Sequence, residues 1–215
     1  MSTVIAIDGP AAAGKGTLAR RLAAELGLPH LDTGLIYRAV ARRVLDRGAD
    51  PRDAAVAERE ARALLAADLG RDDLRGPEAD MAASAVSALP GVRAALLAFQ
   101  REFGRDGAVL DGRDIGTVVF PEALVKLFVT ASVEARARRR FEELRAKGVP
   151  TDPAQVESDL RRRDMQDAAR RAAPLRAAPD ALLLDTTTLD IEAAFDAALA
   201  LVRERLTAGA EARRG

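Results

Sequence analysis

The chain has 215 residues, of which 48% are hydrophobic and 31% are charged, a balance that excludes a disordered chain and favours one core-bearing domain. It contains no cysteine and a single histidine, so disulfides, thiolate metal sites, a cysteine nucleophile and a multi-histidine metal site are excluded. Its 33 basic and 33 acidic residues cancel, which argues against a dedicated DNA-coating protein.

The first part of the chain has the pattern of a strand, a helix, a short strand and a second helix. Val4–Asp8 is an apolar run that ends in Gly-Pro, which is typical of a buried parallel strand. Gly14–Leu26 places leucines four residues apart and is closed by a glycine, which predicts a helix. Pro29–Leu31 is a candidate strand, beside which we expect His30 to pack rather than act chemically. Thr33–Arg47 predicts the next helix, which Asp32 or Thr33 can cap.

The rest of the chain alternates helices with strands. Helices are predicted at Ala54–Ala67, Ala79–Leu89, Val92–Phe103, Val133–Lys147, Gln155–Arg171 and Ile191–Arg205, with a polar loop at Gly70–Gly76. Strands are predicted at Ala108–Asp111, Val125–Val129 and Ala181–Leu184, and we expect the small, charged tail Ala208–Gly215 to be disordered. This alternation predicts an α/β fold with a parallel central sheet.

Targeting signals are not expected from this sequence. The N-terminus enters a strand without a basic region and an apolar core, and no apolar run approaches the roughly 20 residues of a membrane-spanning helix. The aromatic residues that nucleic-acid-binding surfaces use are few, with 6 phenylalanines and 1 tyrosine. We therefore expect a monomeric cytoplasmic protein that binds neither nucleic acid nor membrane.

A segment of small residues follows the first strand and opens the first helix. It fits the pattern G-x-x-x-x-G-K of a phosphate-binding loop (P-loop), which requires that context. The N–H groups of such a loop, with the positive end of the helix dipole, hold the phosphates of a nucleoside triphosphate. The predicted ATP-binding residues of the loop are Gly9, Pro10, Ala11, Ala12, Ala13, Gly14, Lys15, Gly16 and Thr17.

Individual residues of the loop predict further chemistry. Lys15 can neutralise the β- and γ-phosphate oxygens, and Thr17 offers a hydroxyl to Mg²⁺. Gly16 stands where the strict pattern has Ser or Thr, and the form G-K-G-T is seen in nucleoside monophosphate kinases. Ala12 occupies a position that is often glycine, so a positive φ there would carry a steric cost.

Three further segments resemble those of bacterial cytidylate kinases. Leu31–Arg38 resembles their L-D-[ST]-G-x-x-Y-R segment, and Asp111–Pro121 resembles D-G-R-D-x-G-T-V-V-F-P. Arg163–Arg170 resembles R-D-x-x-D-x-x-R and is followed by Pro174 and Leu175. With the P-loop, four segments match in order over nearly the whole chain. The resemblance implies a three-layer P-loop fold, ATP and Mg²⁺ as cofactors, and transfer of the γ-phosphoryl group of ATP to CMP or dCMP.

The resemblance also implies roles for individual residues. Thr33 and Arg38 would contact the acceptor nucleotide, and Arg113, Arg163 and Arg170 would hold its phosphate and the transferred group. Ser84 and Asp111 would read the cytosine edge, with Arg93 nearby, and Asp167 would bind the ribose. Asp114 is expected to orient a neighbouring arginine. The catalytic residues are then Lys15, Arg113, Arg163 and Arg170, and no general base is needed because the acceptor is already an anion.

Elementary chemistry agrees with these roles. Phosphoryl transfer requires two polyanions held in line by fixed positive donors, and the arginine fork suits phosphate oxygens. A carboxylate such as Asp111 can accept a hydrogen bond from N4 of cytosine, whereas the carbonyl of uracil would leave it unpaired.

The resemblance divides the chain into a single kinase domain over 1–215, with an acceptor-binding insertion at 50–90 and a lid at 140–165. The insertion is shorter and more helical than in many members, which reduces the acceptor-binding part. Arg136 and Arg140 lie four residues apart and are candidates to serve the triphosphate, Arg140 by binding ATP. At least half of the arginine run 136–140 is expected to be a solvated face. We expect Asp32 to cap a helix rather than contact nucleotide, and Tyr37 to pack rather than stack on a base.

Two alternatives remain open from the sequence. The chain can be a P-loop kinase of another small acceptor, such as UMP, AMP or shikimate. It can also be a non-catalytic nucleotide-binding protein, although the absence of asparagine excludes the N-K-x-D segment of a guanine-specific switch.

Overall fold

The computed structural model describes residues 3–170 and 173–211 of the chain. Contacts divide the chain into two compact units. The first comprises Met1–Leu31 with Asp106–Gly215, and the second is Asp32–Arg105. The sheet belongs to the first unit, and the second is helical.

The described residues form one five-stranded parallel sheet, which confirms the predicted fold class. Its strands are β1 (Val4–Asp8), β2 (His30–Asp32), β3 (Ala108–Gly112), β4 (Val125–Thr130) and β5 (Leu182–Asp185). The order across the sheet is β2-β3-β1-β4-β5. Strands β1 and β3 are buried along their whole length, which explains their apolar sequences. Their register pairs Asp8 with Gly112, so the chain leaves both strands at the same edge of the sheet.

The described residues contain eight α-helices. They are α1 (Lys15–Leu26), α2 (Thr33–Asp46), α3 (Ala54–Arg62), α4 (Pro77–Ser87), α5 (Pro90–Phe103), α6 (Val133–Ala146), α7 (Pro153–Ala168) and α8 (Ile191–Glu211). Short 3₁₀ turns lie at Ala66–Gly70 and Asp72–Leu74, and a π-helical turn lies at Ile115–Val119.

The main core of the first unit lies between the sheet and helices α1 and α8. The leucines that predicted α1, such as Leu18 and Leu22, are buried there against Ile5 and Val129. Val202 of α8 belongs to the same cluster. Because this core holds β1 and α1 together, it fixes both ends of the loop that joins them.

The second unit consists of α2 to α5 and the two 3₁₀ turns. Helices α2 and α4 pack on each other, as do α3 and α5. Glu60 of α3 is buried, with 1% of its surface exposed, and forms ion pairs with Arg43, Arg47 and Arg59. These arginine charges keep the buried carboxylate paired.

Several predicted helix ends were wrong because hydrogen bonds to aspartate side chains at the helix ends decide them. The helix predicted at Ala54–Ala67 ends at Arg62, and a 3₁₀ turn follows in which Asp68 accepts hydrogen bonds from the Leu65 N–H and from Arg43. Helix α7 begins at Pro153 because the Asp152 side chain caps it. It ends at Ala168, and the predicted end at Arg171 lies outside the described residues.

The prediction of a disordered tail was wrong for 208–211. Helix α8 extends to Glu211, and Gly209 packs so closely on Leu124 that an added Cβ would lie 2.7 Å from it. Residues 212–215 of the predicted tail lie outside the described residues.

No single helix in the described ranges is long and apolar enough to cross a membrane. Glu78–Ser87 and Pro90–Phe103 reach that length and composition only as a pair, and the chain bends by 96° between them.

Candidate active site

The P-loop joins β1 to α1 and is shaped by two glycines. Gly9 has φ 148°, and a Cβ added to it would lie 1.9 Å from the carbonyl oxygen of Val129, so only glycine fits there. Gly14 has φ 88° and directly precedes the first residue of α1, Lys15. The loop therefore ends at a helix N-terminus, the context that phosphate binding requires.

Three carbonyl oxygens of the P-loop accept hydrogen bonds from side chains. Lys15 Nζ donates to Pro10 at 2.9 Å, Arg136 Nη1 donates to Ala11 at 3.2 Å, and Thr186 Oγ1 donates to Ala13 at 3.3 Å. These donors come from α1, α6 and the chain after β5. They hold the loop carbonyls against protein groups, as a loop that presents its N–H groups to an anion requires.

Ala12 has φ 60°, the conformation for which the sequence predicted a steric cost. A non-glycine residue in this region costs on the order of 1–2 kcal/mol. Glycine avoids this cost, but its greater conformational freedom in the unfolded chain cancels part of the gain in stability. The loop therefore carries local strain at this position.

We expect Ala12→Gly to raise the free energy of unfolding by about 0.5–1 kcal/mol, because glycine adopts the observed φ without strain. Ala11→Gly is the matched control. Ala11 has no positive φ and packs against Ala137 and Leu160, so its replacement is expected to destabilise the protein. Urea unfolding of the three proteins measures both effects, and a shift of the same sign in both variants would contradict the assignment.

Asp8 ends β1 directly before the loop and is 5% exposed. Its carboxylate accepts hydrogen bonds of 2.8 Å from the N–H groups of Ile115 and Gly116. Burial raises the pKa of Asp8 to about 6 and the nearby Asp114 carboxylate adds to this, while the two N–H groups and Lys15 oppose it. Asp8 therefore ties the start of the P-loop to the segment that carries Arg113 and Asp114.

Asp111 lies at the carboxyl end of β3 and contacts His30. His30 Nε2 lies 2.7 Å from Asp111 Oδ1, and both side chains are largely buried. The His30 ring thus makes a polar contact with a carboxylate in addition to its packing, and the expectation that it does not act chemically stays a prediction. The other oxygen, Oδ2, would lie 3.7 Å from a Cβ added to Gly16. Asp111 thus faces the P-loop beside Lys15 and Thr17.

Asp167 of α7 gathers two of the predicted catalytic arginines. Its carboxylate accepts from Arg113 Nε at 2.8 Å and lies 2.6 Å from Arg170 Nη2, and its side chain is 2% exposed. Burial acts to raise the pKa of the Asp167 carboxyl, but Arg113, Arg170 and Arg163 together hold it below its usual range. An ionised Asp167 therefore orients the arginine forks, a role different from the ribose contact that the resemblance implies.

The predicted lid arginines have different surroundings. Arg136 is 3% exposed and forms a bidentate pair with Asp164, with N–O distances of 3.1 and 2.6 Å. Arg140 is more exposed and pairs with Glu143 at 2.9 Å. Arg136 is thus part of the buried framework rather than of a solvated face, whereas Arg140 remains a candidate for ATP.

In the second unit, Arg38 and Arg93 are each held by neighbours. Arg38 Nε donates to Asp80 at 2.9 Å, and a Cβ added to Gly34 would lie 3.0 Å from Arg38 Nη1. Arg93 lies over the ring of Tyr37, 5.8 Å from its centroid, and Nη1 donates to the Ser87 carbonyl. Tyr37 therefore packs against a cation.

The other predicted acceptor residues of this unit lie on α2 and α4. Thr33 is buried at the first turn of α2, and Ser84 is partly buried on α4. Asp32 precedes α2, but its side chain makes no capping hydrogen bond, so the capping prediction was wrong. Its carboxylate lies 4.0 Å from Arg75 instead.

Sequence reasoning missed four residues that hold the predicted ones in place: Asp8, Asp80, Asp164 and Thr186. A signal was available for Asp8, because a carboxylate that ends an apolar strand requires a partner to offset its burial. The contact partners of Asp80, Asp164 and Thr186 lie 28–173 residues away along the chain. Local sequence patterns therefore do not indicate them.

The amino-acid sequence was compared with family profiles and with known proteins, and the matches agree on one family. The sequence profile described as "Cytidylate kinase" matches residues 5–204. The cytidylate kinase of Acidiphilium cryptum (strain JF-5) is 62% identical over 207 residues, which cover 96% of this chain and 98% of that protein. That of Paramagnetospirillum magneticum (strain ATCC 700264 / AMB-1) is also 62% identical, over 94% of this chain and 98% of its own length.

Among solved structures, an uncharacterized protein from Eubacterium ventriosum ATCC 27560 has a similar fold. Its TM-score is 0.57 at 12% identity, and the match covers 94% of this chain and 99% of that one. At this identity the likeness concerns the fold alone. The profile match over nearly the whole chain and the identity to curated relatives, together with the P-loop and the arginine cluster, show that the chain belongs to the cytidylate kinase family.

Proposed function

We propose that the protein transfers the γ-phosphoryl group of ATP to CMP or dCMP, giving ADP and CDP or dCDP. The observation that carries this proposal is structural. Asp8 ties the P-loop to the segment of Arg113, and Asp167 holds Arg113 and Arg170 together on one carboxylate. The same unit therefore provides a cradle for donor phosphates and a cluster of guanidinium groups for a second anion.

On the donor side, the P-loop amides and Lys15 would bind the β- and γ-phosphates of ATP. Lys15 Nζ, which now bonds to Pro10, would exchange this carbonyl for phosphate oxygens. Its position at the start of α1 adds the positive end of the helix dipole. Developing charge on the transferred group would then meet donors that are already in place.

The residues present fit a magnesium ion that also binds the substrate phosphates. No cluster of three His, Cys, Asp or Glu side chains suited to a metal occurs among the described residues, so a cage built of protein alone is not offered. Mg²⁺ is commonly held by one or two protein oxygens with phosphates and water. Thr17 Oγ1 and Asp111, which faces Gly16, would supply such oxygens. The ion would neutralise charge on the β- and γ-phosphates.

On the acceptor side, Arg113, Arg163 and Arg170 would hold the acceptor phosphate and the transferred group, and Asp167 would keep the forks aligned. Thr33, Arg38, Ser84 and Arg93 of the second unit are proposed to bind the acceptor nucleotide, as in the family. Asp114 is buried and would orient a neighbouring arginine. The ribose contact of Asp167 stays a proposal beside its contacts with arginine.

Asp111 has two proposed roles, in cytosine recognition and at the magnesium ion. The position of Asp111 beside the P-loop supports the magnesium role, since Oδ2 would lie 3.7 Å from a Cβ added to Gly16. In this reading Asp111→Asn lowers activity with every acceptor and raises the Mg²⁺ requirement. Recognition of N4 instead predicts a selective loss with CMP.

A lid over 140–165 is part of the same proposal. The turn between α6 and α7 contains Gly148 with φ 69°, and Arg140 on α6 would contact ATP from this side. Closure would exclude water from the transfer. We also propose a monomeric enzyme of the cytoplasm that requires neither nucleic acid nor membrane.

A panel of acceptors tests the proposed function. We expect ADP release with ATP to be fastest with CMP and dCMP. We expect kcat/KM with UMP to be at least ~10-fold lower, because a buried polar group left unpaired costs about 1–3 kcal/mol. AMP and shikimate serve as the alternative acceptors. Faster turnover with one of these would reassign the substrate, and ATP binding without acceptor-dependent turnover would indicate a binding protein.

A further inference from the structure

Arg136 connects the P-loop to two other elements through buried contacts. Its Nε donates to the Ala131 carbonyl at 3.0 Å, at the start of α6. Nη1 donates to the Ala11 carbonyl at 3.2 Å, inside the P-loop. Both terminal nitrogens also contact the Asp164 carboxylate of α7. With 3% of its surface exposed, Arg136 is committed to protein acceptors in this structure.

Packing reinforces the same connection. Ala11 of the P-loop belongs to a small apolar cluster with Ala137 of α6 and with Val156 and Leu160 of α7. This cluster is separate from the main core beside α1 and α8. The P-loop is therefore held to α6 by one carbonyl contact and to α6 and α7 by one apolar cluster, and the ion pair joins α6 to α7.

Helix α7 also carries Asp167, the carboxylate that holds the arginine cluster. Asp164 lies between Arg163 and Asp167 along the helix, and Asp167 holds Arg113 and Arg170. A continuous path thus leads from Ala11 through Arg136 and Asp164 to the residues proposed for the acceptor phosphate. Because the bidentate fork fixes both direction and distance, it transmits position better than a single point charge.

We propose that Arg136 and Asp164 are positioning residues that fix the P-loop relative to the arginine cluster held by Asp167 of α7. This inference rests on the proposed phosphoryl transfer for its effect on catalysis. In this role the pair would contact neither nucleotide directly, because Arg136 is already committed to protein acceptors. Its loss therefore affects the alignment of donor and acceptor phosphates more than the affinity for either nucleotide.

Hydrogen exchange of the nucleotide-free protein tests the mechanical part. In Asp164→Asn the amides of 9–16 and of α7 are expected to exchange about fivefold faster or more, because the shared restraint is removed from both. Glu25→Gln is the control, since it removes the acid of an exposed ion pair that joins α1 to Arg203 of α8. Exchange that is unchanged, or faster in only one of the two elements, overturns the proposal.

Steady-state kinetics test the catalytic part. We expect kcat with CMP to fall about tenfold in Asp164→Asn, with KM for ATP and for CMP within about threefold of the unmodified protein. Arg136→Lys keeps the positive charge but loses the guanidinium fork, so it is expected to show the same changes in kcat and KM as Asp164→Asn. It takes the place of Asp164→Asn in these measurements if that variant does not fold. The double variant is expected to lose no more activity than the less active of the two single variants.

The two readouts separate this inference from the proposed function. A raised KM for ATP at unchanged kcat, or additive losses in the double variant, overturns the positioning role. If the unmodified protein shows no turnover with CMP, the proposed function fails, while the exchange result still decides whether the pair couples the P-loop to α7.

Discussion

Lys15→Ala is expected to lower kcat/KM with CMP by ~100-fold or more, about 3 kcal/mol of transition-state stabilisation. The Lys15 side chain is buried within the P-loop, and its Nζ bonds to the carbonyl of Pro10 at 2.9 Å. A cation held there meets charge that develops on the transferred phosphoryl group, and water cannot replace it at the same distance.

Two further variants separate the charge of Lys15 from its volume. Lys15→Met fills the same space without charge, so it is expected to lose as much activity as Lys15→Ala. Arg203→Ala removes an exposed cation that pairs with Glu25 and is expected to leave kcat/KM unchanged. A kcat/KM for Lys15→Ala within about threefold of the unmodified protein would remove Lys15 from the mechanism.

The order of elements and the P-loop could be predicted because their causes are local. The apolar run at Val4–Asp8, the spacing of leucines in α1 and the small residues between them each depend on neighbours in sequence. The sequence also indicated that a positive φ at Ala12 would carry a steric cost, since this position of the loop is often glycine, and Ala12 has φ 60°. Short-range patterns thus give the strand, the loop and the helix together.

The supporting contacts of the site could not be predicted because they join distant segments. Thr186 bonds to Ala13, which is 173 residues away, and Asp8 bonds to Gly116, which is 108 residues away. Arg136 stands in a run of arginines, a sequence pattern that favours a solvated helix face. In the structure, contacts with α7 and with the P-loop bury Arg136 instead of leaving it solvated.

The pH dependence of stability is expected to differ between the unmodified protein and Asp8→Asn. Burial raises the pKa of Asp8 from 3.8 to about 6. A carboxyl with a raised folded-state pKa binds its proton more tightly when folded, so its stabilising contribution is complete below pH 3.8 and is lost as pH rises through about 6. A shift of this size corresponds to about 3 kcal/mol between the two limits.

The asparagine side chain of the Asp8→Asn variant cannot ionise, so this contribution is absent from the variant at every pH. The free energy of unfolding of the unmodified protein, minus that of Asp8→Asn, is therefore expected to fall by about 2.4 kcal/mol between pH 4 and pH 7. Carboxyls with lowered pKa, such as Asp167, give the opposite trend in both proteins and cancel in the difference. Urea unfolding in steps of about half a pH unit measures it.

The ionised form of Asp8 is nevertheless the one suited to its contacts, because two N–H groups point at its two oxygens. Asparagine can accept only one of them and turns a donor towards the other, which leaves one buried N–H unpaired at a cost of about 1–3 kcal/mol. We therefore expect the variant to lose kcat/KM at neutral pH through the displaced Arg113 segment, even where its stability matches that of the unmodified protein. A difference in unfolding free energy that stays constant from pH 4 to pH 7 would show that Asp8 is not the titrating group.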